Sequence, residues 1–215
     1  MPIKQLSAII FDMDGVLIDS EPLHAQAWEA LFADLGLAHT HGMKYRNYIG
    51  IADSVFLRDF LAKHPRPETP AELHYRKLQH LYRLIRHHRP IDPQLPHLIP
   101  ALAHRYPLAI ASSSNQEVIN VVLAVAGLTQ YFKVTVGGDA VQQHKPDPEV
   151  YLTAARNLGR PPRDCCAIED SPTGIAAAKA AGMTVIGLTT SQTAAHLRQA
   201  DHIAHDFADV RRLLL

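Results

Sequence analysis

"AIIFDMDGVLIDSE", residues 8–21, runs from a short apolar stretch straight into two carboxylates two positions apart. Ala8-Ile9-Ile10-Phe11 reads as a strand buried on both faces. Residues i and i+2 of an extended chain point to one side, so Asp12 and Asp14 would face a common site, with Gly15 permitting the sharp departure that follows. In open parallel sheets ligands bind outside the carboxyl ends of the strands, and that is where this pair of acids would lie.

Further short apolar runs lie downstream, at residues 107–111, in "FKVTVGG" (132–138), "DCCAIED" (164–170) and "GMTVIGLTT" (182–190). Helical patterns separate them at 115–126, 148–158 and 172–181, with a last one near 193–199. Asp147-Pro148-Glu149 and Ser171-Pro172 read as helix starts, Gly159 and Gly182 as stops. The alternation predicts an α/β fold with a doubly wound parallel sheet. Residues 21–89 break it. They contain helical stretches at 22–35, 55–62 and 71–88, divided by "HPRPETP" and closed by "HHRPIDPQLP", and no strand-like run. The expected organisation is therefore an α/β core domain of residues 1–20 and 90–215 with a helical insertion at 21–89.

The 215 residues carry equal numbers of acids and bases, and 47% are hydrophobic, which excludes a disordered chain and a basic nucleic-acid binder. "YRKLQHLYRLIRHHR" has apolar residues at helical spacing (Leu78, Leu81, Leu84, Ile85), so its basic residues read as the solvated side of an amphipathic helix. A small molecule is the expected partner. There is no signal-like apolar segment and no run approaching the ~18 residues of a membrane helix. Cys165 and Cys166 are adjacent and read as buried strand thiols. A reduced, cytoplasmic monomer is expected.

Two carboxylates ~4 Å apart repel by about 4 kcal/mol at an effective dielectric of ~20, so a cation belongs between them. Glu169 and Asp170 in "IED" would add oxygen ligands for a hard cation, and Lys145 heads "KPDPEVY". Carboxylates, a backbone carbonyl, waters and a phosphate oxygen suit Mg²⁺. A calcium loop would need Glu at its twelfth position, where Leu23 stands. In "ASSSN", Ser114 with Glu117 reads as a capping box, which leaves Ser112, with Ser113 and its backbone N–H, free to hold an anion at the helix start.

"FDMDGVLIDSE", "ASSSN", "KPDPEVY" and "IEDSPTGI", in this order, resemble the haloacid dehalogenase-like hydrolases, in particular the phosphatases and β-phosphoglucomutases with a small helical cap inserted after the first motif. The resemblance implies that Asp12 is the nucleophile, Asp14 the general acid/base, Ser112 a phosphate-binding hydroxyl and Lys145 the cation contacting nucleophile and phosphate. It implies Asp12, the Asp14 carbonyl and Asp170 as Mg²⁺ ligands, with Glu169 direct or through water, and makes residues 21–89 the cap domain. Phosphoryl transfer needs charge neutralisation and in-line positioning, which such groups supply.

Asp14 discriminates further, since the dehalogenase and phosphonatase branches of the family lack that second aspartate. β-Phosphoglucomutases have an arginine in the cap shortly after a glycine; here "YIGIADSVF" has Asp53 near that place, where an anion would repel phosphate, although His24 resembles a hinge histidine of those mutases. The expectation is a Mg²⁺-dependent phosphatase acting on a small phosphorylated metabolite, a sugar phosphate, through an aspartyl-phosphate. The alternative is a β-phosphoglucomutase-like phosphosugar mutase. A non-catalytic phosphometabolite-binding protein would have lost Asp12 or Asp14, and both are present.

Overall fold

The computed structural model describes residue 3, residues 5–48 and residues 53–215. The chain forms two compact units, one of the residues up to Asp19 with Pro90–Leu215, the other of Ser20–Arg89. In the first, β1 (Ala8–Phe11), β2 (Leu108–Ala111), β3 (Phe132–Val136), β4 (Cys165–Glu169), β5 (Thr184–Leu188) and β6 (His202–Ala204) form one parallel sheet in the order β3-β2-β1-β4-β5-β6. Ile10 pairs with Ala109 on one side and Ala167 on the other. Ala8, Ile10, Ala109, Cys165, Ala167 and Val185 pack in one core cluster, and the alternate residues Ile9, Phe11, Leu108, Ile110, Ile168 and Ile186 are equally inaccessible. Both faces are covered, which is why these strands read as unbroken apolar runs. Strands β2 and β3 build outward on one side of β1 and β4–β6 on the other, so the winding reverses between β1 and β4. A ligand crevice is expected at that reversal.

The Ser20–Arg89 unit consists of α1 (Glu21–Asp34), α2 (Asp53–Lys63) and α3 (Pro70–His88), with a short 3₁₀ turn at Tyr45–Tyr48. Its core is aromatic: Trp28 lies 4.5 Å from Phe56, and Phe32 lies 4.9 Å from Phe60, ring centre to ring centre. Helix α3 starts on a capping box that the sequence pattern left unread, with Thr69 and Glu72 exchanging bonds. Leu78, Leu81 and Ile85 are buried, and Arg83, Arg86, His87 and His88 are exposed. Lys77 departs from that solvated side. It is fully buried, its Nζ 2.7 Å from Asp53 Oδ2, 2.8 Å from His24 Nδ1 and 5.3 Å from the centre of the Trp28 ring. Asp53 is therefore paired rather than a bare anion. Ile49, Gly50, Ile51 and Ala52 of "YIGIADSVF" lie outside the described residues.

The sheet unit is completed by α4 (Leu95–Arg105), α5 (Gln116–Ala126), α6 (Glu149–Leu158), α7 (Pro172–Ala180) and α8 (Phe207–Leu214). Helix α6 turns Val150, Tyr151, Ala154 and Ala155 into the core, and small residues on both partners let it approach the sheet closely. Three elements were not legible in the sequence. Helix α4 carries Pro96 in its first turn and Pro100 inside, and proline normally marks a break. Strand β6 has three residues, too few for a period, and α8 follows it at once on an Asp206 cap. The helix expected near 193–199 is absent: the chain makes a succession of turns, of which only Leu197 is fully buried. A single turn that buries one apolar residue does not offset the cost of helix nucleation. These turns lie hard against Gly187, where a Cβ would meet the Ala200 and Leu197 side chains at 3.0 and 3.2 Å. Among the described residues no helix is long and apolar enough to cross a membrane.

Candidate active site

Asp12 is the first residue past β1, and its N–H continues the ladder by donating to the Ile168 carbonyl at 2.9 Å. Gly15 then takes φ +76° and the chain turns sharply, the N–H groups of Val16, Leu17 and Ile18 converging on the Met13 carbonyl. Ser112 follows β2 in the same way, donating its N–H to the Val136 carbonyl at 3.0 Å. Glu169 ends β4 and Asp170 follows it. Lys145 comes from the loop before α6. That loop is braced by Glu149, whose carboxylate accepts from the N–H groups of Gln142 and Gln143, and by Asp147, which accepts from the Glu149 N–H at 2.9 Å.

Lys145 joins these strand ends. Its Nζ donates to Asp12 Oδ1 at 2.7 Å, Glu169 Oε1 at 2.6 Å and the Ala111 carbonyl at 3.0 Å, and lies 4.9 Å from the centre of the Tyr151 ring. The Tyr151 hydroxyl donates to the same Glu169 oxygen at 2.6 Å, and the Ser171 hydroxyl, which also caps α7, donates to Glu169 Oε2 at 3.1 Å. Glycines leave the room for this. A Cβ on Gly174 would overlap the Glu169 carboxylate, and one on Gly15 would overlap that of Asp170.

Asp12, Glu169 and Asp170 are buried, and one oxygen from each lies within 4.8 Å of the other two. Three acids against one ammonium leave negative charge uncompensated in a space with little water. Burial accordingly pushes the Asp12 carboxyl well above its usual range, Lys145 pulling it down and Glu169, Asp170 and Asp14 pushing it further up. Burial also carries Asp170 up to about 7 against the pull of Ser191, whose hydroxyl donates to the Asp170 carbonyl at 3.1 Å. For Lys145 burial acts downward, but Asp12 and Glu169 outweigh it and hold the ammonium above its ordinary range. A buried set of hard oxygens with excess negative charge is what a divalent cation would neutralise.

Asp14 points elsewhere, its Oδ2 accepting from the Ser114 hydroxyl at 2.8 Å and the Ser112 hydroxyl at 3.3 Å. This corrects the expected capping box. The cap of α5 is Asn115, which accepts from the Val118 N–H at 3.0 Å, because Ser114 sits one residue too early and is turned inward. Ser113 is exposed, and its side chain takes no part in the bonds that tie the cluster together. The structure thus brings together Asp12, Lys145, Glu169 and Asp170, joins Asp14 to Ser112, and leaves the Ser113 side chain outside. Sequence reasoning missed Tyr151, Ser114, Ser171 and Ser191. Of these only Tyr151 had a usable signal, six residues after Lys145 on the buried face of a helix.

The family model of the haloacid dehalogenase-like hydrolases matches residues 9–188, from β1 to the end of β5. The chain belongs to that family. Validoxylamine A 7'-phosphate phosphatase of Streptomyces hygroscopicus subsp. limoneus is 32% identical over 206 residues, 94% of each protein. Hexitol phosphatase B of Escherichia coli (strain K12) is 32% identical over 186 residues, 85% of this chain and 83% of that protein. Among solved structures, CbbY from Rhodobacter sphaeroides in complex with xylulose-(1,5)bisphosphate is 29% identical, with a TM-score of 0.79 over 94% of this chain and 95% of that one.

Proposed function

We propose that this family member is a Mg²⁺-dependent phosphatase that hydrolyses a small phosphorylated sugar or sugar alcohol through an aspartyl-phosphate. The observation that carries the reading is Lys145, buried and bonded at once to Asp12 and Glu169 beside Asp170. The names of the relatives point the same way, two being phosphatases and one having been solved with a sugar bisphosphate. In this reading residues 1–20 and 90–215 are the catalytic core and 21–89 the cap domain.

Asp12 attacks phosphorus, and the bond to the leaving oxygen breaks as the aspartyl-phosphate forms. Asp14 gives a proton to that oxygen and later takes one from the attacking water. Lys145 keeps the attacking carboxylate aimed and screens the phosphoryl group, while the Ser112 hydroxyl and the Ser113 N–H hold phosphoryl oxygens. Asp12, Asp170 and the Asp14 carbonyl would hold Mg²⁺, which when bound neutralises charge on the transferring group. Glu169, which already accepts from Lys145, Tyr151 and Ser171, would hold the ion directly or through water.

The mutase reading has less behind it. Pairing with Lys77 weakens the expectation that Asp53 repels phosphate, but the arginine is still missing from this place. The test is phosphate release from p-nitrophenyl phosphate and a panel of sugar and sugar-alcohol phosphates with Mg²⁺. Hydrolysis of at least one sugar compound is expected, dependent on the metal and lost in Asp12→Asn. An inactive panel, or near-normal kcat in Asp12→Asn, refutes the proposal. Conversion of β-glucose 1-phosphate to glucose 6-phosphate without phosphate release would establish the mutase instead.

A further inference from the structure

Ser114 carries a hydroxyl that neither helix capping nor anion binding accounts for. Its backbone is pinned on both sides: its N–H donates to Ser112 Oγ at 3.0 Å, and its carbonyl accepts from the Gly138 N–H at 2.9 Å. The Gly137-Gly138 pair presses against this turn so closely that a Cβ on Gly137 would lie 2.7 Å from the Gln116 nitrogen, and one on Gly138 would overlap the Ser113 carbonyl. Held in this way, the Ser114 hydroxyl reaches Asp14 Oδ2 at 2.8 Å, closer than Ser112 at 3.3 Å.

The two serines are not equivalent. Ser112 has one hydroxyl proton, and in the proposed reaction it goes to a phosphoryl oxygen; it cannot be donated to Asp14 as well. Ser114 faces no such competition. We propose that Ser114 is the positioning residue for Asp14, holding Oδ2 so that the other carboxyl oxygen delivers its proton to the leaving group. As the Asp12–phosphorus bond forms and the phosphorus–oxygen bond breaks, the proton on Asp14 passes to the departing oxygen, and Ser114 keeps its own proton throughout. This rests on the proposed phosphatase reaction.

The test uses leaving groups that differ in their need for that proton. A p-nitrophenolate departs without one, whereas a sugar alkoxide requires it. The measure is kcat/KM, which reports the steps up to loss of the leaving group. Ser114→Ala is expected to lower kcat/KM for the best sugar phosphate of the panel about tenfold more than for p-nitrophenyl phosphate, the worth of one orienting hydrogen bond. Ser114→Thr, which keeps the hydroxyl, is expected to restore the wild-type ratio. Equal losses on both substrates would mean that Ser114 acts on phosphate binding or on the fold, and no loss would mean that it is idle. Either result overturns the inference while leaving the phosphatase reading intact. Failure of the wild-type protein on both substrates would instead overturn that reading.

Discussion

Replacing Gly174 by alanine sets two effects of opposite sign against each other. Gly174 lies in the first turn of α7, where helix propensity alone favours alanine by up to about 1 kcal/mol. In the folded protein the new methyl would overlap the Glu169 carboxylate, which is fully buried. Glu169 can move only by giving up bonds to Lys145 and Tyr151, both 2.6 Å long, and each such bond to a charged group is worth about 1.5–3 kcal/mol. Displacing α7 instead is an overpacking change of about 1–3 kcal/mol. The cheaper route governs, and after the propensity gain the expected net loss is about 1 kcal/mol. For a chain of this size that lowers Tm by roughly 2–4 °C. Thermal unfolding of Gly174→Ala, Glu169→Ala and the double variant measures it, because alanine at 169 removes the obstacle. In that background Gly174→Ala should be neutral or stabilising. A single variant as stable as wild type, or the same loss in both backgrounds, would refute the reasoning.

Lys145→Met removes the ammonium shared by Asp12 and Glu169 at little change in volume. Phosphatase kcat/KM should fall by at least about 10²–10³, the scale for one preorganised electrostatic contact, and steady-state assay of the variant checks it. The pair of buried Lys77 and half-buried Asp53 in the Ser20–Arg89 unit gives a pH dependence. Burial would raise the Asp53 carboxyl, but His74 and Lys77 outweigh it and hold it well below the usual carboxylate range. A depressed folded value means that this contribution is complete above the unfolded value of about 4 and is lost as pH falls below it. Asp53→Asn should therefore lose about 3 kcal/mol at pH 7 and show a flatter acid limb between pH 4 and pH 2, read by urea unfolding; acid limbs of equal slope would exclude the pairing.

The alternation of apolar runs and helical periods was enough to place the parallel sheet, because strands covered on both faces have no other composition open to them. The same reasoning failed at 193–199, where a helical pattern buries only Leu197, and at α4, where two prolines disguise a helix. The acids and the lysine stood out because their spacing coincides with strand ends. Ser114 was misread because the sequence shows a hydroxyl next to a helix start and says nothing of its direction.

Local order along the chain by itself determined most of the strands and helices, α4, β6 and α8 excepted, and which charged residues end them, since both depend on neighbours a few positions away. The wiring of the site was decided only on folding. Lys145 meets Asp12 across 133 positions and Ser114 meets Asp14 across 100, and such partners are chosen by the order of strands in the sheet and by where glycine lets two backbones touch.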